Sequence, residues 1–305
     1  MSTPLPNYPL PTNIRNLPRG LAIASQSAEF WRRLSPELSL SPRPVPLPAA
    51  PVPGDLRARL VESGYLRMAP LAEAPLLSRL AAAMDRIARA GLPPAFIGVY
   101  DEVWQLAAAM QPVLDAAFGG TAALVPNFWA RHGGDAQPPA PACRRRPGNG
   151  VHADGTPRSL TLWLPLTRAT PDNGCVYLVP AGQDRAYGRP GGSRAETGLP
   201  GIRALPARPG EALLWTGETY HWQALPDRRV ADGDLLSLNW EFQCRCCPPL
   251  EGAVIDGNAT LVPFETRLAI IARQMPRHVP DLRRHSVWGA LQQTLANRFP
   301  LRAAG

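Results

Sequence analysis

From Ala122 onward the apolar residues of this chain stop recurring every three to four positions and begin to alternate. Ala122 to Arg131, Ser159 to Leu166, Val176 to Val179, Gly201 to Leu205, Ala212 to Trp215 and Leu235 to Gln243 read as short strands parted by Pro, Gly, Asp and Asn turns. Successive side chains of a strand point to opposite faces, so strands of this pattern must bury at least one side against another layer. Many short strands at this spacing predict a barrel or a sandwich.

The flanks read differently. Ala74 to Ala90, with Leu76, Leu77, Leu80, Met84 and Ile87 on one face, predicts an amphipathic helix stopped by Gly91-Leu92-Pro93-Pro94. A shorter helix opens at Asp55, a strand is plausible over Gly64 to Met68, and a further helix runs from Glu102 to Phe118. Helices resume at Phe264 to Met275 and Ser286 to Asn297. The first 54 residues are proline-rich, with Ser41 to Pro48 reading as polyproline II and only Ala24 to Leu34 as a short helix. The expected organisation is a proline-rich arm (1–54), a helical flank (55–120), a β core (121–247) and a C-terminal helical extension (248–305). A chain of 305 residues can bury the core of one such domain.

Composition narrows the chemistry. The net charge of +8 is carried by arginine alone, because the chain has no lysine. Schiff-base lysines and phosphate-loop lysines are therefore excluded. The arginines are dispersed apart from Arg144-Arg145-Arg146, which argues against nucleic acid as a partner. Five cysteines, an odd number, and no basic-then-apolar pattern after Met1 favour a reducing cytoplasm. No apolar run has the length to span a bilayer, so a soluble protein without a membrane partner is expected.

The candidate chemistry lies in Val151-His152-Ala153-Asp154-Gly155 and in Glu218-Thr219-Tyr220-His221-Trp222. Residues i and i+2 of a strand project to one side, so His152 and Asp154 suit a metal. With His221 they would form a 2-His-1-carboxylate facial triad, the ligand set of non-haem iron enzymes. Zinc would accept the same three ligands with one water. The bland reading of His-x-Asp is a turn with an Asx cap, and that of His221 a half-buried histidine donating to a carbonyl. The turn at Pro209-Gly210-Glu211 and the apolar strand before His221 favour the metal reading.

Several stretches resemble bacterial members of the phytanoyl-CoA dioxygenase family: Leu92 to Trp104, Val125 to Trp129, Ser159 to Leu166, and Ala169 to Pro180 with its Asn173-Gly174-Cys175. The resemblance covers about Asp55 to Gln243, and more weakly the Arg267 to His278 helix. It implies a mainly β fold with flanking helices around a double-stranded β-helix of the jelly-roll or cupin type. It also implies Fe(II) held by His152, Asp154 and His221, 2-oxoglutarate as co-substrate, dioxygen, and hydroxylation or a related oxidation of a small organic substrate. Asn127 would hydrogen-bond the oxoacid or serve as a strand-end turn residue. Trp129, Trp163, Trp215, Trp222 and Tyr177 would line the pocket, although core packing is the commoner role of strand tryptophans.

The chain departs from the family in three places. An ungapped register puts the expected His and Asp on Cys143 and Arg145, leaving His152-Ala153-Asp154 in a hairpin. The arginine expected two residues before Ser237, which would clamp the oxoacid carboxylate with its guanidinium fork, is Leu235; Arg228 and Arg229 could swing in instead, but a solvated pair on the loop is the usual fate of such residues and the default reading. Cys244-Arg245-Cys246-Cys247 lacks the spacing of a zinc or iron–sulfur motif and reads as reduced edge thiols. An Fe(II)/2-oxoglutarate dioxygenase leads. A degenerate member that binds a ligand or partner without turnover, and a cupin-like zinc protein, are the alternatives.

Overall fold

A computed structural model describes residues 19–41, 44–133, 146–191, 198–227, 229, 233–251, 254–255, 262–278 and 286–299. Eight strands build two antiparallel sheets. They are β1 (Tyr65–Pro70), β2 (Ala122–His132), β3 (Ser159–Pro165), β4 (Val176–Leu178), β5 (Arg203–Leu205), β6 (Glu211–Thr216), β7 (His221–Gln223) and β8 (Leu236–Cys244). The larger sheet has the order β1-β6-β3-β8-β2 and the smaller β5-β4-β7. This is the jelly-roll core with flanking helices that the sequence led us to expect.

Alternation along the strands explains why the two sheets face each other. Leu160, Leu162 and Leu164 of β3, Leu236, Leu238, Trp240 and Phe242 of β8, and Ala212 and Leu214 of β6 belong to one buried cluster shared with the helices. Trp163, Leu213 and Trp215, from the intervening positions, belong to a second cluster with Val176 and Leu178 of β4. The large sheet is thus covered on both faces, by helices outside and by the small sheet inside. Its strands are accordingly buried at nearly every position of β3, β6 and β8.

The helical layer consists of α1 (Arg19–Ala24), α2 (Ala28–Leu34), α3 (Leu56–Ser63), α4 (Ala74–Arg89), α5 (Asp101–Ala109), α6 (Gln111–Phe118), α7 (Phe264–His278) and α8 (Ser286–Arg298). The single helix expected over Glu102 to Phe118 is two. Met110 caps the first, and Pro112 stands at the start of the second, where its missing N–H costs no helical bond. Strand β1 pairs antiparallel with β6, so the large sheet takes its edge strand from the stretch read as helical flank. Strand β7 was absent from the expected strands because three residues, two of them aromatic-or-imidazole neighbours, give no alternation to count.

The described part of the proline-rich arm is held to α5. The Gln105 side chain donates to the Val45 carbonyl, the Ala50 amide bonds the Ala109 carbonyl, and Asp101 accepts from Ser39 Oγ and the Ser41 amide. Below it lies a buried ion pair. Arg267 of α7 reaches Asp101 at 2.7 Å with both side chains almost wholly enclosed, and its remaining nitrogens donate to the carbonyls of Val262 and Val99 at 2.6 Å each. Asp101→Ala would leave the Arg267 guanidinium buried without its counter-charge. The expected loss in stability is about 3–5 kcal/mol, read by chemical denaturation. A loss under about 1 kcal/mol would mean that α7 is not docked through this pair.

Candidate functional site

The inner face of the large sheet is unusually polar for a surface so enclosed. Its cross-strand rows run Trp215–Thr161–Glu241 and Leu213–Trp163–Asn239. A bulge in β2 between Val125 and Phe128 brings Asn127 to Glu241, whose Oε2 accepts from Asn127 Nδ2 at 2.6 Å. Arg146 approaches Glu241 Oε1 at 3.4 Å. At the far end of β2, Arg131 donates to Gln223 Oε1 of β7 at 2.8 Å, bridging the two sheets. Between these ties, Thr161 Oγ1, Trp163 Nε1, Trp215 Nε1 and Gln223 Nε2 are buried without a hydrogen-bond partner among the described residues. Unsatisfied buried polar atoms are rare in folded proteins, and several in the space between the two sheets, called the chamber below, suit a polar ligand.

His221 opens β7 and pairs with Leu178 of β4, which places its side chain on the chamber side. Its ring lies 4.8 Å from that of Trp215. Nδ1 is 2.9 Å from the Thr219 carbonyl. A proton on Nδ1 donated to that oxygen leaves the lone pair on Nε2, the arrangement common among metal-ligating histidines. Tyr177 and Trp222, expected to line the pocket, pair with one another on the opposite face of the small sheet, their rings 5.7 Å apart. Trp129 stacks on His278 of α7. Only Trp163 and Trp215 of the expected aromatic lining belong to the inter-sheet core.

His152 and Asp154 are not on a strand. Val151 bridges Pro157, the His152 amide bonds the Thr156 carbonyl, and the Gly155 amide bonds the His152 carbonyl, which closes a hairpin turn with Gly155 at φ 79°. Asp154 is exposed and accepts from Thr156 Oγ1 at 2.7 Å and from the Thr156 amide at 3.0 Å. Those two hydrogen bonds hold its carboxyl below the usual carboxylate range. This is the Asx-capped turn, and it corrects the triad as read from the sequence. Within a turn the i, i+2 rule of strands does not apply, so the two side chains need not share a side. His152 instead points its Nε2 at Cys247 Sγ, 4.0 Å away. Among the described residues, the group of three His, Cys, Asp or Glu ligands that closes to within 4.8 Å is His152, Cys246 and Cys247. The family's iron therefore does not fit on His152, Asp154 and His221 together.

The remaining expectations divide. Asn127 and Ser237 are buried in the large sheet, Asn127 with its amide committed to Glu241. Arg229 is turned outward, 88% exposed, and pairs with Asp227 two residues before it, so it clamps nothing in the chamber. Arg228, Cys143 and Arg145 lie outside the described residues. Leu235 is buried in the inter-sheet core at the clamp position. The cysteine cluster is not a set of reduced thiols: Cys244 and Cys246 are bridged, and Cys247 is buried.

Sequence reasoning passed over Arg131, Arg146, Glu218, Gln223 and Glu241. The signal for Glu241 was present, since Ser237, Asn239, Glu241 and Gln243 alternate with Leu236, Leu238, Trp240 and Phe242 along one buried strand. Glu218 carried no comparable signal, although it is fully enclosed. Its carboxyl accepts from the amides of Gly148 at 2.9 Å and Gly150 at 3.2 Å, while the Arg146 amide bonds the Gly217 carbonyl. A Cβ at Gly150 would come within 2.3 Å of the Glu218 nitrogen, so only glycine permits the approach.

With this geometry in view, the comparisons are coherent. Residues 128–223 match the family model for phytanoyl-CoA dioxygenase (PhyH). Over that stretch the chain is similar to the phytanoyl-CoA dioxygenase family. That family is one of Fe(II)- and 2-oxoglutarate-dependent oxygenases. Among solved structures, apo ThoJ, described as a non-heme monooxygenase, superposes with a TM-score of 0.53 at 11% identity, over 80% of this chain and 100% of its own. AviO1 from Streptomyces viridochromogenes Tue57 gives 0.47 at 17% identity, over 64% and 96%. EctD from S. alaskensis, bound to 2-oxoglutarate and 5-hydroxyectoine, gives 0.46 at 15%, over 68% and 83%. At such identities the likeness to ThoJ speaks for the fold. No curated protein sequence matches the chain. No helix among the described residues is long and apolar enough to cross a membrane.

Glu218→Ala should release the 146–150 segment while leaving the sheets paired. Two amides then lose a buried acceptor, a change of about 1–3 kcal/mol, so hydrogen exchange at Gly148 and Gly150 should quicken by about tenfold or more. Unchanged protection at both would contradict the Glu218 anchor.

Proposed function

We propose that this chain is an oxygenase of the phytanoyl-CoA dioxygenase type that takes a small, polar organic substrate into the chamber between its two sheets, with His221 as an iron contact. The observation that carries the reading is the position of His221 beside Trp215 on the inter-sheet side, in a region whose buried donors have no partner among the described residues. Iron with 2-oxoglutarate would supply the oxidising chemistry. His152 and Asp154 have no part in it, and no reaction step is assigned to residues beyond His221. The chain's own contribution is the enclosure: Arg131–Gln223 and Asn127–Glu241–Arg146 fix the chamber's polar walls, and Trp163 and Trp215 supply apolar surface with an indole N–H each.

A second reading has its own observations. Leu235 in place of a guanidinium, Arg229 turned to solvent and Asp154 spent on a turn all favour a family member that binds its ligand without turnover. One titration separates the two. Under anaerobic conditions Fe(II) with 2-oxoglutarate should produce the weak visible charge-transfer band of the chelated iron. His221→Ala should abolish it, and Asp154→Asn should leave it intact. Absence of the band at saturating Fe(II) and 2-oxoglutarate would sink the oxygenase and leave the binding protein. Its loss in Asp154→Asn would restore the triad.

A further inference from the structure

The hairpin that removes His152 from the chamber delivers it to the cysteines at the end of β8. The Cys244 amide bonds the Arg158 carbonyl, so the base of the hairpin and the end of the strand are joined. At the tip of this junction His152 Nε2 lies 4.0 Å from Cys247 Sγ, and Cys247 Sγ lies 3.8 Å from Cys246 Sγ. Zinc–sulfur bonds of about 2.3 Å and zinc–nitrogen bonds of about 2.0–2.1 Å place two sulfurs of a tetrahedron roughly 3.8 Å apart, and a sulfur and a nitrogen about 3.6 Å apart. The three donor atoms therefore already lie close to three corners of such a site. Two thiolates and an imidazole select zinc-like ions over hard cations. Cys244 Sγ, which accepts from the Cys246 amide at 3.2 Å, stands next to them as a fourth donor.

We propose that His152, Cys246 and Cys247, with Cys244, form a zinc-type metal site that is open when the Cys244–Cys246 bond is reduced and closed when it is formed. In the bridged state Cys246 and Cys244 have no thiolate to offer, and only Cys247 and His152 remain, which is too few for a closed site. Reduction supplies the other two. With a phosphine as reductant, the disulfide takes up two electrons and two protons to give two thiols, while the phosphine gains the oxygen of water and becomes the phosphine oxide. The metal ion then displaces the thiol protons to solvent. The site is separate from the chamber, since His221 contributes nothing to it, and it does not depend on the oxygenase reading.

The test uses the full chain, reduced anaerobically with a phosphine and freed of reductant, titrated with Co(II) alone and then with Zn(II). One equivalent of Co(II) should bind with a near-ultraviolet thiolate-to-metal band, and Zn(II) should bleach it. Cys247→Ser and His152→Ala should each weaken Co(II) binding by about tenfold or more. His152 sits half-buried on a surface hairpin, so His152→Ala keeps the test valid even if a cysteine variant fails to fold. His221→Ala and Cys175→Ser should leave the band unchanged. The reduced chain lacking any thiolate band, or His152→Ala and Cys247→Ser binding Co(II) as tightly as the parent, would overturn the site. An equal band from the oxidised chain would overturn its redox control.

Discussion

Strand β8 is hydrogen-bonded to β3 on one side and β2 on the other and is covered on both faces. A strand in that position cannot expose a polar side chain to bulk water, so every polar group on it needs a partner inside the protein or in a ligand. Glu241 meets this requirement through Asn127 and Arg146. The bulge in β2 is part of the same solution. Two extra residues between Val125 and Phe128, Pro126 and Asn127, let Asn127 turn inward while Phe128 keeps its place against Trp240 and Trp104 on the helical side. Gln243 turns its amide to the carbonyls of Cys244, Cys247 and Pro248 and accepts from the Leu250 amide, which folds the chain back after the strand and fixes the cysteine turn. The polar chamber and the thiol cluster are thus two consequences of one strand that is buried at all but one position.

The second constraint is steric. The 146–150 segment crosses the 216–219 turn so closely that a Cβ on Gly150 would meet the Glu218 nitrogen at 2.3 Å, and one on Gly217 would press on Arg146 Cγ at 3.0 Å. The crossing determines where the next residues go. With Gly150 held to Glu218 and its carbonyl bound by the amides of Arg158 and Ser159, residues 151 to 157 have to leave and return within a hairpin. His152 and Asp154 are carried out with it. Glu218, three residues before His221, therefore ties the chamber histidine to the loop that lost the other two candidate ligands.

The fold was legible because periodicity is a collective signal. Six stretches of alternating residues survive errors of a residue or two at either end, and each of them became β2, β3, β4, β5, β6 or β8. The α5 and α6 boundary was missed because Pro112 sits where a helix start and an interrupted helix look alike from sequence. The site was less legible because its meaning turns on the conformation of single residues. His152 and Asp154 have the spacing of a strand pair, but Gly155, at positive φ, and Thr156, the donor to Asp154, make the same letters a capped turn. His221 is the opposite case: its own segment was too short to read as a strand, and the Pro209-Gly210-Glu211 turn with the strand after it located it. Arg131 and Gln223, 92 positions apart, meet only because two sheets face each other, and no local pattern encodes that meeting.

Two histidines of one suspected triad thus end apart, His152 on a hairpin beside Cys247 and His221 on β7, in surroundings that favour different chemistry. Around His221 the donors are oxygen and nitrogen atoms on rigid strands within an enclosed space, which suits a substrate held by hydrogen bonds and a hard, oxygen-binding ion. Around His152 the donors are sulfurs in a turn with Cys246 exposed, which suits a soft ion and access for a reductant. If both held metal, the two sites would compete little, because each disfavours the other's ion by ligand type. The loss of His152 from the chamber then need not be read only as decay of an iron centre. His152, set apart from one group of candidate ligands, lies 4.0 Å from the Cys247 sulfur of another.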